Sequence, residues 1–301
     1  MLEVNNLLEV NNLNVDIGRK KIIKNITFQV KTGAIVGLIG PNGAGKTTIM
    51  KTILGLTKFT GQISMDNHPI TESNHKILSE VGALIENPAI YPFLTGLQNL
   101  KLYSHDKNNM QQIVIQLGLE KYIEDLAKNY SLGMKQKLGI AIALLNQPKL
   151  VILDEPMNGL DIEATILVRK LIQQYARSGT SFLISSHILG ELQKIMSEAI
   201  IINEGKVVVN RAMSRFQRIN HQHYQILSET QKIASDLLAK NNIQIKKSGN
   251  YLRIDAKDVF LAEDLLYKNN LRLLELLPEK IDFEQVVVSL LKNQERDIYE
   301  E

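Results

Sequence analysis

The chain carries two hydrophobic rhythms. Residues 34–39 and 150–153 are unbroken apolar runs, the pattern of strands buried on both faces of a parallel sheet. Further strands are expected at 8–15, 26–30, 62–65, 81–86 and 181–186, and a β-hairpin over 198–209 around Glu204-Gly205. Between them apolar residues recur at three and four, which predicts helices. The segment IMKTILGL is one; Leu97, Leu100, Leu102 and Tyr103, then Ile113, Leu117 and Leu119, extend the pattern through 96–128. Helices are also expected at 133–145, 163–177 and 188–196. Strands alternating with helices predict a largely parallel sheet covered by helices, ending near Asn210.

The stretch RAMSRFQRINHQ, 211–222, is polar and basic and reads as a linker. Beyond it come a strand (224–227), a helix (229–241), a hairpin around Ser248-Gly249, a helix (257–269), a strand (271–277) and a last helix (282–293). That β-α-β-β-α-β order predicts a small ferredoxin-like α+β domain over 223–301. At the other end LEVNNL occurs twice, at 2–7 and 8–13; a six-residue echo is too short for a repeat architecture, so residues 1–7 read as an extension.

Composition narrows the class. A length of 301 residues suits about two domains, and 44% hydrophobic residues can build real cores. A net charge of +3 favours neither nucleic acid nor an acidic substrate. The absence of cysteine removes any disulfide framework and fits a reducing compartment. No apolar run reaches the roughly 18 residues of a membrane span, and the N-terminus lacks the pattern of a secretory signal, so any membrane role is expected to run through a partner.

The chemistry gathers around AIVGLIGPNGAGKTT, 34–48. A buried strand breaks into Gly40-Pro41-Asn42-Gly43-Ala44-Gly45, then Lys46, Thr47 and Thr48 lead into a helix: a P-loop in its expected context. Backbone N–H groups and the positive end of a helix would converge on phosphate, Lys46 would reach the β- and γ-phosphates, and Thr47 would hold Mg²⁺. The run LVILDEP ends in two acids; the strand would bring Asp154 beside the P-loop to hold Mg²⁺, while Glu155 would polarise an attacking water. His187 closes the strand SFLISS at the carboxyl edge of the sheet, where ligands bind, and is expected to contact the γ-phosphate. Ser131 in YSLGMKQ reads as a helix N-cap, which alone explains it; with Gly133 it also makes a second phosphate site. The residues alone leave open whether the two phosphate sites meet within one protomer or across two.

Together these segments resemble the nucleotide-binding subunit of an ATP-binding-cassette transporter over about residues 8–210, with a helical insert about 87–145. GPNGAGKTT stands for the P-loop, YSLGMKQ for the signature, LVILDEP for the acidic strand, NGLD (158–161) for the D-loop and SSH (185–187) for the switch histidine. The resemblance implies a head-to-tail dimer, with a homodimer expected. Each ATP would lie between one P-loop and the partner's Ser131 and Gly133, and Asp161 would bridge the sites. Three features depart from the family pattern. The signature has Leu132 and Met134; Glu86 stands where a glutamine is usual, as a further Mg²⁺ ligand; and Ile17 stands where an aromatic often stacks on adenine.

Glu86, SLGMKQ and the C-terminal appendage are similar to bacitracin- and lantibiotic-type peptide exporters. The expected partners are therefore an integral-membrane permease and a second nucleotide-binding subunit, with this chain expected to be peripheral at the cytoplasmic face of the cell membrane. A peptide substrate would be met only through the permease. Two other readings are a soluble cassette ATPase without a membrane partner and a cassette subunit for another hydrophobic substrate. A DNA-handling cassette would carry long coiled-coil insertions, and no sustained heptads occur.

Overall fold

The computed structural model describes residues 5–186, 189–219, 223–279 and 283–299. The chain divides into two compact units, Met1–Arg211 with Leu290–Glu301, and Ala212–Ser289.

The larger unit opens with two long antiparallel strands, β1 (Asn6–Ile17) and β2 (Lys20–Lys31). Its core strand is β3 (Ile35–Ile39), buried at every position, followed by α1 (Lys46–Ile53). Then come β4 (Thr60–Met65), β5 (His68–Pro69), β6 (Val81–Leu84), α2 (Gly96–Tyr103), α3 (Lys107–Gln116) and α4 (Leu132–Leu144). The unit continues through β7 (Leu150–Leu153), α5 (Ile162–Arg177), β8 (Ser181–Ser185), α6 (Leu189–Leu192), β9 (Glu198–Asn203) and β10 (Lys206–Ala212). Two sheets result, in the orders β2-β1-β4-β5 and β10-β9-β3-β8-β7-β6. The first is antiparallel; in the second, β9, β3, β8, β7 and β6 run parallel.

β1 begins two residues before the expected strand start, and Leu7 is buried. In the second LEVNNL copy Leu8, Val10 and Leu13 are buried while Asn12 takes a left-handed backbone, φ 51°, at a register shift between Val10 and Leu13. That bulge keeps the apolar residues on one face although their spacing breaks strict alternation. The hairpin turn at Glu204-Gly205 has φ 46° and 76°, and its backbone bonds to Lys24 and to Ala44 of the glycine-rich loop. The helix expected at 188–196 is shorter: α6 spans Leu189–Leu192. Gly190 is a weak helix former.

In the helical insert, α2 starts at a capping box between Thr95 and Gln98, and α3 at Asp106, whose carboxylate accepts from the N–H groups of Asn108 and Asn109. α4 packs closely on β6. A Cβ at Gly82 would run into the Ala143 carbonyl, so only glycine permits this approach.

The smaller unit holds α7 (Met213–Ile219), β11 (His223–Ser228), α8 (Gln231–Lys240), β12 (Ile245–Ser248), β13 (Tyr251–Asp255), α9 (Val259–Lys268) and β14 (Leu273–Pro278); α10 spans Phe283–Tyr299. Its sheet is antiparallel, in the order β12-β13-β11-β14, which is the ferredoxin-like arrangement. Ala234 and Leu238 of α8, and Val259, Ala262 and Leu266 of α9, close over Ile226, Leu252 and Ile254. Much of the stretch expected to be a linker is instead α7. Met213 and Phe216, one helical turn apart, are buried, and the Phe216 ring meets Phe283 edge-on at 5.2 Å.

Candidate nucleotide site

The site forms where β3, β7 and β8 end. β3 runs straight into the glycine-rich loop between β9 and β8 in the sheet. Gly40 lies against the backbone of β9, where a Cβ would strike the Ile202 carbonyl; Gly45, φ 106°, turns the chain into α1. These two positions need glycine for different reasons, close approach and a left-handed backbone.

Lys46 is buried, and its ammonium donates to the carbonyls of Gly40 (2.7 Å) and Pro41 (3.1 Å). Burial pulls its pKa below the ordinary lysine value, while the carboxylates of Glu155 and Asp154 act in the opposite direction. The Thr47 hydroxyl, on the first turn of α1, donates to Asp154 Oδ2 at 2.7 Å. Thus the P-loop and the acidic strand, more than a hundred residues apart in sequence, meet through one hydrogen bond.

The pairing of Leu153 with Ile184 sets Asp154 and Ser185 side by side at neighbouring strand ends. Ser185 donates to Asp154 Oδ1 at 2.5 Å and accepts the Glu155 backbone N–H at 2.9 Å. The Glu155 carbonyl accepts from the Gln136 side-chain amide of α4 at 3.1 Å, and Glu155 has φ 51°. Ser185 and Gln136 are functional neighbours that sequence reading passed over. Both lie within the segments SSH and YSLGMKQ, but the partners of Ser185 emerge only from the register of β7 and β8, and that of Gln136 only from the placement of α4 beside Glu155.

Glu86 has φ 57° and an exposed side chain that pairs with Lys51 of α1 at 2.7 Å, one helical turn beyond Thr47. Ile17 ends β1 and is 54% exposed. Ser131 caps α4, accepting the Met134 N–H at 3.2 Å, and is itself exposed. Gly133 packs on the D-loop, since a Cβ there would come within 2.9 Å of the Gly159 carbonyl; the Leu132 side chain lies over Gly159 in turn. Asp161 caps α5 by accepting the Ala164 N–H at 2.7 Å. Lys46, Thr47, Asp154 and Glu155 therefore gather at one point, while Gly133 packs on the D-loop that contains Asp161 and Ser131 caps the same helix end two residues earlier. His187 lies outside the described residues.

Among the described residues no cluster of three His, Cys, Asp or Glu side chains could hold a metal. Thr47 and Asp154 instead supply a hydroxyl and a carboxylate, hard oxygen donors. One or two such groups completed by phosphate oxygens suit Mg²⁺.

The family model for ABC transporters matches residues 23–158. The bacitracin transport ATP-binding protein BcrA of Enterococcus faecalis is 35% identical over 245 residues, covering 79% of this chain and 80% of that one. The lantibiotic transport ATP-binding protein SrtF of Streptococcus pyogenes is 37% identical over 210 residues, covering 68% and 90%. A solved structure described as the ATP-binding subunit of an ABC transporter superposes with a TM-score of 0.66 at 29% identity, covering 71% of this chain and 92% of that one. The chain belongs to the ABC transporter family as an ATP-binding, ATP-hydrolysing subunit.

Proposed function

We propose that this subunit drives a membrane exporter of antimicrobial, membrane-active peptides, and that two copies close on ATP to do so. The observation that carries the ATPase chemistry is the Thr47–Asp154 bond, which brings the P-loop and the acidic strand to one point. In this reading the backbone of residues 40–48 and Lys46 bind the phosphates. Thr47 and Asp154 hold Mg²⁺, with Glu86 as a further oxygen donor. When bound, Mg²⁺ neutralises charge on the β- and γ-phosphate oxygens. Glu155 orients the attacking water and takes up its proton. His187 contacts the γ-phosphate, and Ile17 lies under the adenine with little stacking.

Ser131 and Gly133 reach the partner's ATP, and Asp161 bridges the two sites. The exposure of Ser131 at the free end of α4 supports this assignment. Shifting a two-state equilibrium from mostly open to mostly closed takes about 5.5 kcal/mol. Charge-assisted hydrogen bonds contribute roughly 1.5–3 kcal/mol each, so two or three per site suffice.

The permease would dock on residues 86–105. There Tyr91 and Phe93 are exposed, their ring centroids 5.7 Å apart, a surface suited to an apolar helix from a membrane partner. No helix among the described residues is long and apolar enough to cross a membrane, so in this reading the subunit sits peripherally at the cytoplasmic face. BcrA and SrtF, named for bacitracin and lantibiotic transport, support peptides as the cargo. The test is to isolate the subunit from its native membrane and to delete its gene. Co-isolation of a multi-spanning protein and heightened sensitivity to such peptides are expected. Isolation without a membrane protein, or unchanged sensitivity to every peptide tried, would overturn the exporter reading.

A further inference from the structure

Ser185 is fully buried at the end of β8, and its single hydroxyl serves both acids of the site. It donates to Asp154 Oδ1 while Thr47 donates to Oδ2, so the carboxylate is held at both oxygens. The same Ser185 oxygen accepts the backbone N–H of Glu155. Glu155 needs that anchor. A non-glycine residue at φ 51° is in a sparsely populated conformation, which persists only when its surroundings fix it. The Glu155 carbonyl is held as well, accepting from Gln136, also buried, and from the Asn158 N–H at 3.1 Å.

We propose that Ser185 is a positioning residue for ATP hydrolysis. One hydroxyl aims the Asp154 carboxylate at Thr47 and, through the N–H of Glu155, fixes the turn from which the Glu155 side chain projects. Neither effect needs Ser185 to touch ATP. A serine that merely filled the strand end would be replaceable by any residue of its size; this one needs an oxygen that donates on one side and accepts on the other. The inference rests on the assignment of Asp154 and Glu155 made above.

The test compares Ser185→Ala, Ser185→Cys and Ser185→Thr in the full chain, with Glu155→Gln alongside. Melting temperature reports folding, steady-state kinetics separate kcat from KM, and ATP binding is titrated once in Mg²⁺ and once in EDTA. Losing a hydrogen bond to a charged group corresponds to roughly a 10- to 100-fold effect. Ser185→Ala should therefore lower kcat by about that factor, raise the Mg²⁺ concentration needed for half-maximal ATP binding several-fold, and leave ATP affinity in EDTA within about twofold. Ser185→Cys keeps the size but is a weak donor and acceptor, so it should follow Ala; Ser185→Thr should recover most of the loss.

Parental kcat and Mg²⁺ dependence in folded Ser185→Ala would overturn the proposal. So would Cys behaving as the parent, or a folded Thr variant failing to recover. Equal loss of ATP affinity in EDTA and in Mg²⁺ would also overturn it, by marking general damage. If Ser185→Thr melts early, the Ala and Cys pair decides. Glu155→Gln tells the two failures apart: normal turnover there sinks the assignment of Glu155 itself, whereas a dead Glu155→Gln beside a fully active Ser185→Ala sinks only the role of Ser185.

Discussion

The two units share a plan, a sheet covered by helices, yet treat polar side chains oppositely. In the larger unit Lys46, Asp154 and Ser185 are buried; Thr47 and Ser185 each donate to the Asp154 carboxylate, and beside them Lys46 donates to the Gly40 and Pro41 carbonyls of the P-loop. In the smaller unit the ion pairs sit on partly exposed positions: Glu279 meets Arg253 at 2.6 Å and His223 at 3.9 Å, and His223 also meets Asp255 at 3.1 Å. Burying charge is costly unless every group is partnered. A buried polar cluster at the carboxyl ends of parallel strands therefore points to chemistry, whereas partly exposed ion pairs on a small antiparallel sheet point to packing and solubility.

That contrast can be broken by substitution. The largest effect is expected for Glu155→Gln, with hydrolysis falling by about 10²- to 10⁴-fold while ATP still binds. Turnover at the parental rate would remove Glu155 from the chemistry. Next, Lys46→Ala should weaken nucleotide binding by roughly 100-fold, the scale of a lost charge-assisted contact; equilibrium titration with a fluorescent ATP analogue would measure it, and near-normal affinity would refute the role.

Glu86→Gln tests an intermediate case, an exposed acid tied to Lys51, which lies one helical turn beyond Thr47. It should change the hydrolysis rate or the preference between Mg²⁺ and Mn²⁺ by only about tenfold or less, because its ion pair with Lys51 is solvent-screened. No change in either would leave Glu86 as a surface residue. The smallest effect belongs to the other unit: Arg253→Ala should cost about 0.5–1 kcal/mol of stability in chemical denaturation and leave ATP hydrolysis intact. A large loss of activity there would show that the division of labour between the units is false.

Much of this was readable in the residues because the decisive features are local. The unbroken apolar runs into GPNGAGKTT and DEP place β3 and β7 and the ends from which Lys46, Thr47 and Asp154 act. The β-α-β-β-α-β order yields the sheet of the smaller unit because short connections leave few alternatives. What stayed hidden depends on register and tertiary partners. Ser185 looks like one more residue of a buried strand until Leu153 is paired with Ile184. The ion pair of Glu86 with Lys51 joins residues 35 apart, with nothing in either segment to announce it. The helix α7 was missed because its basic, polar composition outweighed the two apolar residues, Met213 and Phe216, that bury it.

The account turns on ATP joining two copies of this chain. The most direct measurement is the solution mass of Glu155→Gln by light scattering, with Mg²⁺ and saturating ATP and again without nucleotide. The account predicts a particle of two chains with ATP that reverts to one chain when nucleotide is removed. A single chain at every nucleotide concentration, in a protein shown to bind ATP, would contradict it.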